Sequence, residues 1–167
     1  MSVKTFEELA IKYPLLFQKA KIKALEIEDG WLHIIDTLCA VISGHPENIQ
    51  RSIIYEQDKL TRDHDRISKL EAELAKLIED LPVIAQVKEK FGGLRFYVYG
   101  GTEEHRNFIR FAEAMTYRTC EQCGAPGETR NTGWMKTLCD RHHKELEAKE
   151  NGYRASPKKF DPAKLED

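Results

Sequence analysis

Four residues carry the clearest chemistry in this chain: Cys120, Cys123, Cys139 and His142, in the pattern Cys-x2-Cys-x15-Cys-x2-His. Two thiols two residues apart form a tight knuckle whose sulfurs reach a single ion. Gly124 follows, where such a knuckle needs a residue free to take positive φ. Cys139 and His142 are three apart, and at the start of a helix expected over Leu138 to Lys149 they project to one side. Three thiolates and one imidazole make a closed tetrahedral shell that suits one structural zinc ion and leaves no open position for catalysis. His143 is adjacent, so either ring is a candidate fourth ligand, with the spacing favouring His142. The loop from Ala125 to Thr137 is too polar to build a core of its own, and a buried metal would substitute for one.

Other titratable groups lack a motif. His33 with Asp36, His64 between Asp63 and Asp65, and His105 beside Glu104 offer acid–base pairs. None comes with a phosphate-binding glycine loop, a nucleophile elbow or an open metal site. No catalytic set is legible, and a binding role is the expectation. Cys39 reads as a small buried hydrophobe.

A second constellation lies on an expected β-ribbon. Val87 to Tyr99 holds two alternating runs around Gly92-Gly93, which reads as a hairpin with both glycines in the turn. That register sets Phe91 opposite Leu94, Glu89 opposite Phe96 and Val87 opposite Val98, an apolar face. The other face carries Lys88, Lys90, Arg95, Tyr97 and Tyr99, a basic and aromatic surface of the kind that follows a phosphate backbone and stacks on bases. Arg118, Arg130, Lys136 and Arg141 would extend it. The competing reading ends a helix at Phe91 with Gly92 just beyond it, and an ordinary solvated strand face explains the same charges.

The elements that must position these groups are mostly helical. Thr5 caps a short helix over 5–17 that breaks at Tyr13-Pro14, with Glu8 placed to close a capping box. After a turn at Asp29-Gly30, residues Trp31, Ile34, Ile35, Leu38 and Ile42 recur at helical spacing and end near Gly44. Pro46 opens a helical stretch to about Asp80. Leu60, Ile67, Leu70, Leu74, Leu77 and Leu81 form a heptad seam that weakens at Asp63-His64-Asp65. One long helix or two bent helices fit this pattern, and the seam serves either intramolecular packing or a homodimer through the 47–80 helix. Residues 103–117 read as an amphipathic helix with Phe108, Phe111, Ala112 and Met115 toward the core. From Asn151 the tail has almost no apolar periodicity and reads as flexible or loosely docked. The expectation is an α+β protein, mostly helical: a body over 1–117 with one hairpin near 86–99, a knuckle–helix zinc unit over 118–150, and a tail over 151–167.

Composition agrees with a packed domain. The chain has 167 residues, 41% hydrophobic and 32% charged, with a formal net charge of -2. The first half is acidic on balance and 86–144 is basic, while no global excess demands nucleic acid or an anionic membrane. No secretory leader and no apolar run long enough for a membrane span is present. A cytoplasmic protein is expected, where four cysteines read as metal ligands or buried thiols before disulfides.

Val87-Lys-Glu-Lys-Phe-Gly-Gly-Leu-Arg-Phe-Tyr97 resembles a motif in a family of small zinc-binding proteins of bacteriophages and prophages. So do Cys120-Glu-Gln-Cys-Gly-Ala-Pro-Gly127, Gly133-Trp134 and Thr137-Leu-Cys-Asp140, and, near the N-terminus, Asp29-Gly-Trp31 with Ile35-Asp-Thr-Leu-Cys39. The likeness touches most of the chain except the 47–80 helix and the tail. It implies a phage-associated accessory protein, located in the host cytoplasm, and brings no substrate or catalytic residue. Three functions follow as expectations. The first is binding to a host protein, as an inhibitor of a host process or defence system. The second is nucleic-acid binding through the hairpin face and zinc unit. The third is sequestration of a signalling nucleotide on the same basic, aromatic ribbon.

Overall fold

The computed structural model describes residues 5–155 apart from Thr132. It is a mostly helical α+β protein. The elements are α1 (Phe6–Lys12), α2 (Pro14–Phe17), a 3-10 turn (Asp29–Trp31), α3 (Leu32–Asp58), α4 (His64–Asp80), β1 (Val83–Lys90), β2 (Gly93–Tyr99), α5 (Glu103–Thr116), β3 (Glu128–Asn131), β4 (Met135–Leu138) and α6 (Asp140–Ala155).

Helix α3 is the spine of the core. Its buried stripe is Ile34, Ile35, Leu38, Cys39 and Ile42, joined by Trp31, Leu9, Leu16, Leu81, Ile84, Leu94 and Phe96 from neighbouring elements. The helix does not stop at Gly44 but runs through Pro46 to Asp58. Proline removes one helical hydrogen bond and is tolerated at a helix start for that reason. Here the apolar stripe continues past it, with Pro46 and Ile53 both buried, and tertiary packing overrides the local stop signal. Burial pushes the Cys39 thiol up to about 12, so it is an inert part of the core.

The expected interruption at Asp63 is real, and two helices replace one. The Asp63 side chain accepts a hydrogen bond from the Arg66 amide and starts α4. Helix α4 packs back along α3, with Arg66 Nε 3.2 Å from Glu56 Oε1 near the loop and His45 Nε2 3.8 Å from Glu73 Oε1 further along. Ile67 is buried and Leu70, Leu74 and Leu77 are half-buried. Leu60 is not part of that seam: it sits in the connecting loop, fully exposed.

The hairpin forms with a different register. The pairs are Lys90 with Gly93, Glu89 with Leu94 and Val87 with Phe96, so the turn residues are Phe91 and Gly92, at φ 55° and 73°. A two-residue turn of this hand needs positive φ at both central positions. Moving the pairing by two residues leaves the paired side chains on their expected faces, so Val87, Leu94 and Phe96 are buried as anticipated, whereas Phe91, expected on the apolar face, is shifted into the turn and is 60% exposed. Ala85 then forms a bulge, beyond which Ile84 pairs with Val98. Both outer edges of the ribbon are covered. The chain at 21–26 lies along β1, with Glu26 N donating to Val87 O and Glu89 N to Glu26 O. On β2, the Leu94 amide donates to Thr116 Oγ1 and the Phe96 amide to Glu113 Oε1, both from α5.

Helix α5 is capped by Thr102, and His105 Nδ1 accepts from the Thr102 amide in return. It buries Ile109, Ala112 and Thr116, with Phe108 partly covered. Phe111 and Met115, expected in the core, are exposed instead at 69% and 41%. The helix carries a wider apolar arc than the body covers. The loop between the metal-ligand pairs also holds the short antiparallel hairpin β3–β4, so Leu138 ends a strand and α6 begins only at Asp140. Helix α6 includes 151–155, the start of the expected tail; its remainder, 156–167, lies outside the described residues.

Candidate metal centre

The knuckle is shaped by backbone hydrogen bonds. Gly124 N donates to Cys120 O, and Cys120 N donates to Ala125 O. Gly124 takes φ 76°, a conformation that disfavours a side chain. Strand β4 then carries the chain to Cys139, immediately ahead of α6, and the first turn of that helix supplies His142.

These elements bring the four expected ligands together. Three sulfurs and one ring nitrogen lie within 4.8 Å of one another. Cys123 Sγ is 3.9 Å from Cys139 Sγ, and His142 Nδ1 is 3.2 Å from Cys120 Sγ and 3.5 Å from Cys139 Sγ. With Zn–S near 2.3 Å and Zn–N near 2.0–2.1 Å, a tetrahedral shell sets sulfurs about 3.8 Å apart and each about 3.5 Å from the nitrogen. Those three edges are close to that shape and all four atoms lie within 4.8 Å, so the group is able to hold one metal ion. Its fourth corner is His142. His143 turns away, with Nε2 3.6 Å from Glu147 Oε1 one helical turn on.

The surroundings fit a metal thiolate. Burial pushes the Cys120 thiol up, so its ionisation needs a cation beside it. The His142 backbone amide holds the Cys139 thiol below its ordinary value. A divalent ion with three thiolates and a neutral imidazole leaves one net negative charge. Arg141 stands against it, with the Cys123 sulfur beside its guanidinium favouring the charged form. Its place next to a ligand in sequence was the available signal for this role.

The knuckle is also docked. Trp31, fully buried, donates from Nε1 to Thr119 O at 2.8 Å, and Gly30 N donates to Glu121 O. A Cβ on Gly30 would sit 2.2 Å from Cys120 O. The ribbon turn abuts the other side: Thr137 donates from Oγ1 to Gly92 O at 2.5 Å, and a Cβ on Gly93 would lie 2.4 Å from the Tyr117 ring. Below the knuckle Glu121, 1% exposed, is bonded to Lys136; burial nonetheless raises its carboxyl above the usual range. The Asp-Gly-Trp, Phe-Gly-Gly and Cys-x2-Cys-Gly segments therefore meet around the metal-ligand group.

The remaining candidates disperse. Asp36 is held by Lys12 and Tyr13 and not by His33. His105 caps α5, and His64 is the exposed first residue of α4. On the ribbon, Arg95 is tied down, with Nη1 donating to Leu94 O and Nη2 to Tyr117 Oη. Lys88, Lys90, Tyr97 and Tyr99 stay on the outer face with some or much of their surface open. No helix among the described residues is long and apolar enough to cross a membrane. No protein-family model matches the chain, and no curated protein and no solved structure matches it.

Proposed function

We propose that the protein is a zinc-stabilised, non-catalytic binding protein of the phage accessory type, acting in the host cytoplasm on a host protein. The four ligands would hold a structural zinc ion. Three thiolates and an imidazole fill a tetrahedral shell, and Arg141 sits where it offsets the residual charge. The observation that carries the binding role is an apolar groove of about 540 Å³ between α3 and α5, lined chiefly by Ile34, Leu38, Val41, Phe108, Phe111 and Met115. Contiguous exposed apolar surface of this kind marks interaction sites, and a groove between two helices accepts an apolar segment of a partner.

The test is affinity capture from bacterial host lysate with the metal-loaded protein and with the double variant Phe111→Asp, Met115→Asp. Both positions are exposed, so the fold is expected to survive. A partner retained by the wild type and lost by the variant is the expected result. Absence of any reproducible partner, or equal capture by both proteins, counts against the reading.

A further inference from the structure

Cations near the metal-ligand group and cations on the ribbon differ in their partners. Around the metal-ligand group, Arg130 pairs with Asp140, Lys136 with Glu121, and Arg141 stands beside the Cys123 sulfur. The first two charges are neutralised where they stand. On the ribbon the situation is opposite. Among the described residues Lys21, Lys88 and Lys90 form no ion pair, and each ammonium rests near an aromatic ring. Lys88 Nζ is 5.8 Å from the Tyr97 ring centre, Lys21 Nζ 5.0 Å from that of Tyr99, and Lys90 Nζ 5.2 Å from that of Phe91.

Tyr97 and Tyr99 are 45% and 60% exposed and project from the same face of β2. Residues two apart on a strand are set about 7 Å from each other, giving successive stacking positions for two neighbouring bases. Between them and β1 lies an open cleft of about 420 Å³ that also includes Gln86 and Lys88. Gln86 is the cross-strand partner of Tyr97; its Nε2 donates to Glu26 Oε1 at 3.4 Å, which leaves its carbonyl oxygen as an acceptor for a base edge. Three ammonium groups without ion pairs and two part-exposed rings on one face, around the cleft, complement a polyanion whose base faces are free.

We propose that this outer face of the β1–β2 ribbon binds single-stranded nucleic acid, with Tyr97 and Tyr99 as stacking platforms and Lys21, Lys88 and Lys90 on the phosphates. A duplex hides the base faces that the tyrosines would use. The overall charge of -2 supplies no long-range attraction, so binding depends on this face alone. The surface is separate from the α3/α5 groove, and the inference stands whether or not a host protein occupies that groove.

The experiment is fluorescence anisotropy of the metal-loaded protein with labelled DNA and RNA oligonucleotides of about ten nucleotides. Single strands, the matching duplexes and free mononucleotides as competitors are compared across a salt series. The expected result is single-strand binding that weakens about five-fold or more for Tyr97→Ala and again for Tyr99→Ala. Three phosphate contacts predict a slope of log affinity against log salt near about -2. Lys69→Ala, on α4, serves as the surface control, and Phe111→Asp with Met115→Asp is expected to retain the oligonucleotide. Circular dichroism checks that each variant is folded. Undetectable binding at low salt, binding unchanged by the double tyrosine substitution, a preference for duplex, or displacement by mononucleotides as effective as by oligonucleotides would overturn the proposal.

Discussion

The body and the C-terminal unit solve the same problem by different means. The body is held by a contiguous apolar cluster that, among the described residues, runs from Leu9 to Ala112. Around the metal-ligand group the buried side chains are Cys120, Leu138, Thr119, Glu121, Thr137 and His142, only two of them hydrophobic. Burial spreads stabilisation over many residues, so the loss of any one is partial. On the proposed zinc reading, coordination would concentrate it at one point, so the loss of one ligand would be close to total for the unit that depends on it.

The largest test of this contrast is Cys120→Ser. Structural zinc sites contribute about 10–16 kcal/mol in small zinc-dependent folds, and this variant should retain far less than one equivalent of metal by elemental analysis. Amide spectra should show residues 118–150 losing dispersion while the α3 helix keeps its signals. Collapse of both together would show that the two regions are one cooperative unit and that the contrast is false.

A smaller effect comes from a pair of glycines. Gly30→Ala forces a methyl group against the knuckle backbone and should cost about 1–3 kcal/mol in denaturant unfolding. Gly44→Ala meets nothing within 4 Å inside α3 and should stabilise by about 0.5–1 kcal/mol. Equal effects at both sites would mean that the docking of the unit on the body is not tight.

The smallest is Asp36→Asn. Burial pushes the Asp36 carboxyl up, but hydrogen bonds from Lys12 and Tyr13 outweigh it and hold the group below its ordinary value. A depressed carboxylate contributes stability above its unfolded pKa and loses it as pH falls through the folded one. The substitution should cost about 1–2 kcal/mol at neutral pH and flatten the acid side of the stability profile below about pH 4. An unchanged acid limb would remove Asp36 from the account of the body.

The same contrast governs what could be read from sequence. Ligand spacing is a local rule with few alternatives, and Cys120, Cys123, Cys139 and His142 meet as expected. Helical periodicity identified the face of α3 that is buried, but Pro46 is a local signal that burial overrode. Alternation gives the faces of the paired strand residues but not the register, because a slip of two residues keeps them on the same side; Phe91, at the new turn, leaves the apolar face and is exposed. The two glycines were both assigned to the turn. Only Gly92 is in it; Gly93 is small because Tyr117 presses on it, a tertiary contact with no sequence signature. Phe111 and Met115 failed for a related reason: periodicity reports which arc of a helix is apolar, not how much of that arc the rest of the molecule covers. The docking roles of Gly30 and Trp31 were likewise invisible, since their partners lie about 90 residues away along the chain.

The covered margins of the ribbon restrict how this protein meets other chains. A third strand zipping onto β2 would need the Leu94 and Phe96 amides, and side chains of α5 already occupy both. On the β1 side the 21–26 segment stands in the way. Recruitment by strand addition is closed off at both margins, which also guards against edge-to-edge self-association. Whatever the ribbon engages must approach it broadside.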